Sequence, residues 1–196
     1  MTLAPDAVLD ILKASTAYRE GHFLLTSGRH SGIFLLCAQA LQYPQHTAAL
    51  CQAMAEPFAG ESIDAVVGPA VGGIILAYEV ARALGQRTGR YPRALFTEKA
   101  NGGGMALRRG FSLDRGERVL VVEDAVTTGG SVFKSLDVIR PLGVQVAGVS
   151  IIADRSGGAV HFGAPLHSLI TLQIDSWEPG DCPLCRQGLP LTRPKG

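Results

Sequence analysis

The chain alternates short apolar runs with segments of helical periodicity, and this alternation constrains the fold more than any other feature. The runs "DAVVG", "RALFTEK", "RVLVVED", "VQVAGVSIIADR" and "LHSLITLQI" are each typical of strands. Helical spacing appears between them in "GGIILAYEVARALG" and "SVFKSLDVIRPLG". Strands that are apolar on both faces must be buried on both faces. The pattern therefore predicts an α/β domain with a mainly parallel central sheet flanked by helices.

Outside these strands and helices, the sequence predicts two further helices and two irregular stretches. Helical patterns run through "PDAVLDILKASTAYREG" up to Gly21 and through "TAALCQAMAEPFAG" up to Gly60. Two stretches do not fit the alternation: "GHFLLTSGRHSGIFLLCAQALQYP" near the amino end and the glycine-rich "EKANGGGMALRRG" in the middle. We expect these stretches to carry function rather than scaffold.

Composition limits the classes of protein to consider. A chain of 196 residues with 46% hydrophobic letters predicts one domain over residues 1–196. A formal net charge of +1 gives little support for nucleic-acid binding, and no apolar run reaches the ~18 residues that span a membrane. Asp6 and Asp10 stand where a signal peptide would be basic or apolar, so we expect a cytoplasmic protein. Its four cysteines are too few for a disulfide scaffold, and we expect them to be reduced.

The stretch "VLVVEDAVTTGGSV" combines a strand, two acids and a small-residue loop. Val119–Val122 would form the strand, Glu123 and Asp124 its carboxyl end, and Thr127–Ser131 the turn that opens a helix, at the sheet edge where ligands bind. Such a turn offers backbone N–H groups and hydroxyls to a phosphate, while carboxylates suit a diol or a metal ion. Together they indicate a sugar phosphate. The alternative is that the acids only cap the helix and the loop only turns the chain.

The same stretch, as "VLVVEDAVTTGGS", resembles the thirteen-residue 5-phosphoribosyl 1-diphosphate (PRPP) signature of type I phosphoribosyltransferases. The stretches "FLLTSGRHS", "VVGPAVGGIILAYEVARALG" and "IIADRSGG" narrow the resemblance to the orotate phosphoribosyltransferases. The resemblance implies the type I phosphoribosyltransferase fold. It also implies a small hood, formed mainly by residues 20–45 and the C-terminal segment, and a flexible loop. No Walker-type lysine or strand-linked G-x-G-x-x-G motif competes with this interpretation.

The resemblance implies a set of PRPP-binding residues. Glu123 and Asp124 would bind the ribose hydroxyls. The loop that would surround the 5-phosphate consists of Ala125, Val126, Thr127, Thr128, Gly129, Gly130 and Ser131. "GPAVGG" matches the loop near the pyrophosphate, with a non-proline cis peptide expected between Ala70 and Val71. Mg²⁺ is the implied cofactor, bound through PRPP rather than by protein side chains alone, with Asp124 as the candidate side chain to contact it.

The resemblance also implies residues for orotate and for catalysis. Orotate would contact Ser27, Arg29, Thr127 and Arg155. A guanidinium suits a carboxylate or paired carbonyls, although Arg155 could instead form a structural ion pair with Asp154 or another acid.

Asp124 would be catalytic together with Lys99 and Arg109 of the glycine-rich loop, which also carries Arg108. This loop would close over the partner subunit's site in a homodimer with shared active sites. The same letters also fit a plain solvated β-ribbon. Gly72 and Thr26 stand where many relatives carry lysine, so direct cationic contact to pyrophosphate is lost at Gly72.

The implied reaction converts orotate and PRPP to orotidine 5-monophosphate and pyrophosphate, in de novo pyrimidine (UMP) synthesis. Two alternatives stay open: a phosphoribosyltransferase for purine bases, and a regulator that binds PRPP or a nucleotide without catalysis.

The histidines and the cysteine pair of the tail give a weaker signal. Cys182 and Cys185 form one C-x-x-C, whereas a structural zinc site needs four ligands, so tail packing is the favoured interpretation, with zinc binding and redox chemistry left open. Four of the five histidines are dispersed without ligand spacing: His22, His30, His161 and His167. Of these, His30 of the hood is considered as a contact to a ligand.

Overall fold

A six-stranded sheet forms the centre of the computed structural model, which describes residues 3–194; residues 1, 2, 195 and 196 of the predicted domain lie outside it. The strand order is β5-β4-β3-β6-β7-β8, and every pair is parallel except β4 with β5. The strands are β3 (Ala65–Pro69), β4 (Arg93–Lys99), β5 (Met105–Leu107), β6 (Arg118–Val126), β7 (Gln145–Asp154) and β8 (Leu166–Thr171). The predicted α/β class with a mainly parallel sheet is confirmed.

Helices cover both faces of this sheet. The helices of the described chain are α1 (Pro5–Ala14), α2 (Ala38–Leu41), α3 (Pro44–Ala55), α4 (Gly72–Thr88), α5 (Gly130–Ile139) and α6 (Pro183–Arg186). Of these, α6 belongs to the tail and does not cover the sheet. One core packs α1, α3 and α4 against one face, and a second packs α5 against the other. Strand β3 is buried along its whole length, as its apolar sequence requires. Within residues 3–194, no helix is long and apolar enough to cross a membrane.

A second, three-stranded sheet of order β1-β2-β9 forms the hood. It consists of β1 (Tyr18–Leu24), β2 (His30–Leu35) and β9 (Ser176–Trp177), so the tail supplies one of its strands. The prediction of a helix up to Gly21 was wrong beyond Ala14, because Thr16 adopts φ +57° and stops the helix. The chain then reverses into β1.

Two further boundaries differ from the sequence prediction. Helix α3 ends at Ala55 and continues only as a 3-10 turn over Glu56–Phe58, because Pro57 lacks the N–H that an α-helix needs. Strand β6 does not end at Val122. It continues to Val126, where it pairs with Asp154 of β7, and therefore includes the acid pair.

The glycine-rich middle stretch folds as a β-ribbon. Lys99 of β4 lies opposite Met105 of β5, and a turn through Gly102 and Gly103, both with positive φ, joins the strands. The sequence left open whether this stretch forms a moving lid or a plain solvated β-ribbon, and its geometry is that of a ribbon. The ribbon lies at the sheet edge, and Leu107 of β5 also packs against the core beneath α5.

Candidate active site

The loop between β6 and α5 forms a polar cleft at the carboxyl edge of the sheet. The cleft has a volume of about 240 Å³ and is lined by Glu123, Ala125, Val126, Thr127, Thr128, Gly129, Gly130, Ser131 and Val132. Gly129 has φ +75°, and a Cβ there would lie 2.8 Å from the Phe162 ring, so both the backbone and the packing require glycine. Helix α5 begins at Gly130 with its unpaired N–H groups at the cleft, which suits a phosphate.

The two acids of β6 bind the strand backbone rather than capping α5. Glu123 Oε1 accepts a hydrogen bond from Asp124 N at 3.0 Å, and Asp124 Oδ1 accepts one from Ala125 N at 2.6 Å. In the described part of the chain, neither carboxylate accepts a hydrogen bond from the first turn of α5. The alternative in which the acids serve only as helix caps therefore has no support in the geometry.

Burial changes the protonation of this acid pair. Glu123 is 9% exposed. Burial, followed by the charge of Asp124, raises the pKa of Glu123 well above the ordinary carboxyl range. Burial also raises the pKa of Asp124, although hydrogen bonds from the backbone oppose that shift. Burial therefore disfavours two negative charges on this pair, and a ligand with hydroxyl groups or positive charge would stabilise the anions.

The turn after β3 reaches the same sheet edge beside the acid pair. Gly68 and Gly73 approach backbone to backbone, and a Cβ on Gly68 would lie 2.2 Å from the Gly73 oxygen. The peptide bond between Ala70 and Val71 is cis, as expected. A Cβ on Gly72 would lie 3.5 Å from Asp124 Oδ2, so this turn directly adjoins the acids.

A second cavity lies between the hood and the phosphate cleft. Its volume is about 430 Å³, and its lining comprises Leu24, Leu25, Thr26, Ser27, Ile33, Phe34, Leu35, Leu36, Thr127, Arg155 and Pro194. Three residues predicted to contact orotate, namely Ser27, Thr127 and Arg155, thus line one cavity. Thr127 lines both this cavity and the phosphate cleft, so ligands in the two would be neighbours.

Arg155 enters this cavity without a protein partner for its Nε. The Nε atom is buried and has no hydrogen-bond partner in the described part of the chain, and burial lowers the pKa of the guanidinium. Asp154 does not pair with it: one carboxylate oxygen accepts from Ser156 N at 2.7 Å and the other from Gly158 N at 3.0 Å. The ion pair with Asp154 considered from the sequence is therefore absent from the described structure. A planar acceptor in the cavity would satisfy the guanidinium.

Other predicted site residues lie elsewhere. Arg29 donates through Nε to Ser176 Oγ at 2.9 Å and forms an ion pair with Glu178, which anchors the hood turn to β9. On the ribbon, Arg109 pairs with Glu98 at 3.1 Å, and Lys99 lies exposed at the end of β4. Neither Arg29 nor the ribbon cations line the two cavities, so their predicted contacts stay predictions.

Several residues that shape the site were missed by sequence reasoning. Pro194 of the tail and Ile33 of β2 line the second cavity, and Phe162 supports Gly129. Buried Cys37 places its Sγ 3.9 Å from the Asp124 carbonyl oxygen. None of these residues carries a local signal, because each reaches the site through contacts far along the chain.

Comparisons with known proteins agree with this geometry. A model of the phosphoribosyl transferase domain matches residues 41–184. An orotate phosphoribosyltransferase of Caldanaerobacter subterraneus is 50% identical over 189 residues, covering 96% of each chain. The chain is a member of the orotate phosphoribosyltransferase family. A second such relative, from Desulforamulus reducens, is 48% identical over 189 residues, covering 96% of this chain and 95% of its own.

Solved structures of phosphoribosyltransferases support the fold assignment. The crystal structure of the enzyme from Aeropyrum pernix has a TM-score of 0.65 at 27% identity, covering 85% of this chain and 94% of that one. An adenine phosphoribosyltransferase from Rhodothermus marinus has a TM-score of 0.64 at 20% identity, covering 85% and 99%. The expected type I phosphoribosyltransferase fold is confirmed. The fold alone does not distinguish the orotate members from those for purine bases.

Proposed function

We propose that this chain transfers the 5-phosphoribosyl group from PRPP to orotate, giving orotidine 5-monophosphate and pyrophosphate in de novo pyrimidine synthesis. The observation that carries the proposal is that Thr127 lines both the phosphate cleft and the second cavity, which lies beneath the hood. A ribose phosphate in the first would therefore adjoin a base in the second. Orotate is proposed as that base because 48% and 50% of the residues are identical to those of two orotate phosphoribosyltransferases over nearly the full chain.

Charge placement accounts for the catalysis. Displacement of pyrophosphate builds positive charge on the ribose. Glu123, which lines the phosphate cleft, and the adjacent Asp124 would stabilise that charge in their anionic forms. The N–H groups at the start of α5 hold the 5-phosphate in place. Arg155 orients the base through its guanidinium, whose Nε is buried in the cavity wall, so that the attacking nitrogen faces the ribose. No protein side chain needs to act as a nucleophile.

Mg²⁺ fits the donors that this site offers. Hard cations prefer oxygen ligands, and the Asp124 carboxylate adjoins the Gly72 turn where pyrophosphate is expected. When bound through PRPP, the ion would neutralise charge on the leaving pyrophosphate. Asp124 is the candidate side chain to contact it, and the remaining ligands would come from PRPP and water.

A homodimer with shared active sites is part of the proposal. An apolar groove of about 680 Å³ lies between α3 and α4, with Ile75 44% and Tyr78 67% exposed. An outward apolar face of this kind is typical of a subunit interface. Lys99 and Arg109 on the exposed ribbon would then serve the partner's site and close over it. The four free cysteines are consistent with the proposed cytoplasmic location. The net charge of +1 is consistent with the proposal that the chain binds no nucleic acid.

One assay tests the acceptor. The loss of orotate absorbance is followed with PRPP and Mg²⁺, in parallel with adenine, guanine and hypoxanthine as alternative acceptors. We expect turnover with orotate and pyrophosphate release in equal amounts. Turnover of a purine base instead would identify a purine phosphoribosyltransferase, and PRPP binding without turnover of any base would identify a regulator.

A further inference from the structure

Four metal-binding side chains converge where the tail meets the hood. His22 comes from β1, His30 from β2, and Cys182 and Cys185 from the segment that forms α6. One donor atom from each lies within 4.8 Å of all the others, although His22 and Cys182 are 160 residues apart. Cys182, His22 and His30 are buried, whereas most of the tail around them is exposed. The tail C-x-x-C thus acquires the second pair of ligands that the sequence did not reveal.

The spacing of these donor atoms matches a tetrahedral zinc ion. Typical Zn–S and Zn–N bonds at tetrahedral angles place sulfur about 3.6 Å from nitrogen, and the two nitrogens about 3.3 Å apart. His22 Nε2 lies 3.4 Å from Cys182 Sγ and 3.7 Å from Cys185 Sγ. His30 Nδ1 lies 3.3 Å from Cys185 Sγ and 3.1 Å from His22 Nε2. Each of these four distances is within a few tenths of an ångström of the zinc geometry, and the other donor pairs lie within 4.8 Å.

Hydrogen bonding alone does not explain this convergence. His22 Nδ1 lies 2.9 Å from the carbonyl oxygen of Leu189, which is an acceptor only, so Nδ1 carries the proton and Nε2 has a single lone pair. Three atoms, from His30, Cys182 and Cys185, approach that one nitrogen. One lone pair accepts one good hydrogen bond, whereas an ion at the centre binds all four donors. The Leu189 contact also orients the ring, as the outer partner of a metal-bound histidine does.

We propose that His22, His30, Cys182 and Cys185 form a structural zinc site that fastens the C-terminal tail to the hood. Imidazole and thiolate together in a tetrahedral set select zinc over hard cations such as Mg²⁺. The four protein ligands leave no open position, so the site is structural rather than catalytic.

A metal here has a clear mechanical role. The hood is a small three-stranded sheet that cannot bury much apolar surface by itself. Beyond β9, its contacts with the tail include backbone bonds such as Thr192 N to His22 O at 2.8 Å. Zinc would close a loop of roughly 150 residues between the β1-β2 hairpin and the tail, which stabilises the folded state by restricting the unfolded chain. Ser27 and Pro194 would then be held at the wall of the second cavity.

The first test measures metal content. The full chain is purified in reducing buffer without chelators, and zinc is quantified by mass spectrometry of the metal. We expect about one zinc per chain, falling at least tenfold in Cys182→Ser/Cys185→Ser and in His22→Asn. Cys51→Ala and His161→Asn are the matched controls, a buried core thiol and an exposed histidine outside the cluster, and should retain the metal.

A second test does not depend on the folding of any variant. Wild-type protein is stripped with a chelator and titrated with Zn²⁺ or with Co²⁺, whose visible spectrum reports tetrahedral thiolate ligation. We expect stoichiometric uptake of either ion, and faster tryptic cleavage after exposed Arg186 in the stripped protein than in the reloaded one. Failure of purified and stripped wild-type protein to hold Zn²⁺ would overturn the proposal. So would zinc retained undiminished by the folded double cysteine variant.

Discussion

The sharpest prediction concerns Arg155→Ala, because the buried Nε of Arg155 has no hydrogen-bond partner in the described part of the chain. Hydrogen bonds to charged groups contribute about 1.5–3 kcal/mol each, so losing one such contact should weaken orotate binding about 10-fold to about 150-fold. PRPP binding should change little, because its cleft lies along Glu123–Val132. The free energy of unfolding should stay within about 0.5 kcal/mol of wild type, because the described chain offers Arg155 Nε no bond to lose.

Separate titrations measure this prediction. The dissociation constants of orotidine 5-monophosphate and of PRPP, together with the KM for orotate, are compared between wild type and Arg155→Ala. Arg155→Lys keeps the charge without the planar fork and should recover only part of the loss. Arg115→Ala removes an exposed arginine remote from both cavities and serves as the control. Equal weakening of both ligands, or a large fall in stability, would show that Arg155 is structural and would refute the reasoning.

Four further outcomes can be checked. Asp124→Asn should fold normally yet lose most activity, and near-normal kcat in a folded variant would contradict the ribose assignment. Because burial raises the pKa of Glu123, PRPP binding near neutral pH should release protons, and this release should fade above the raised pKa. Calorimetry in buffers with different heats of ionisation measures the proton release, and Glu123→Gln should abolish it. Gly129→Ala should lower the free energy of unfolding by about 1–3 kcal/mol in urea, whereas Gly130→Ala, with only ordinary contacts, should not. Inactive Asp124→Asn and Lys99→Ala are mixed in equal amounts under conditions where subunit exchange is proven. If the ribbon serves the partner subunit's site, the mixture should regain about a quarter of wild-type activity. No recovery would mean that the ribbon serves the site of its own subunit.

The sheet could be predicted because its information is local. Ala65–Pro69 and Arg118–Val126 are apolar enough to require burial on both faces, and the acids and glycines of the phosphate loop follow in one continuous stretch. The hood could not be predicted in the same way. Ser31 Oγ donates to the carbonyl of Asp175, 144 residues away, and Cys185 meets His30 across 155 residues. Periodicity reports on neighbours a few residues apart, so it carries no signal for such pairs.

The helix predicted up to Gly21 shows the same limitation on a smaller scale. The apolar spacing continues past Ala14, but the left-handed Thr16 and pairing with β2 decide the conformation instead. Arg155 is the opposite case. Its position directly after β7 placed it at the ligand edge, although its missing partner could be seen only once the surrounding residues were in place.

The walls of the second cavity come from two different parts of the chain. Ser27 and Ile33 of the hood and Pro194 of the tail form one side, whereas Thr127 and Arg155 directly follow strands of the central sheet. Within the described residues, the lining of the phosphate cleft includes no hood residue. We therefore expect that substitutions in the hood can alter which base is accepted without disturbing how the sugar phosphate is held.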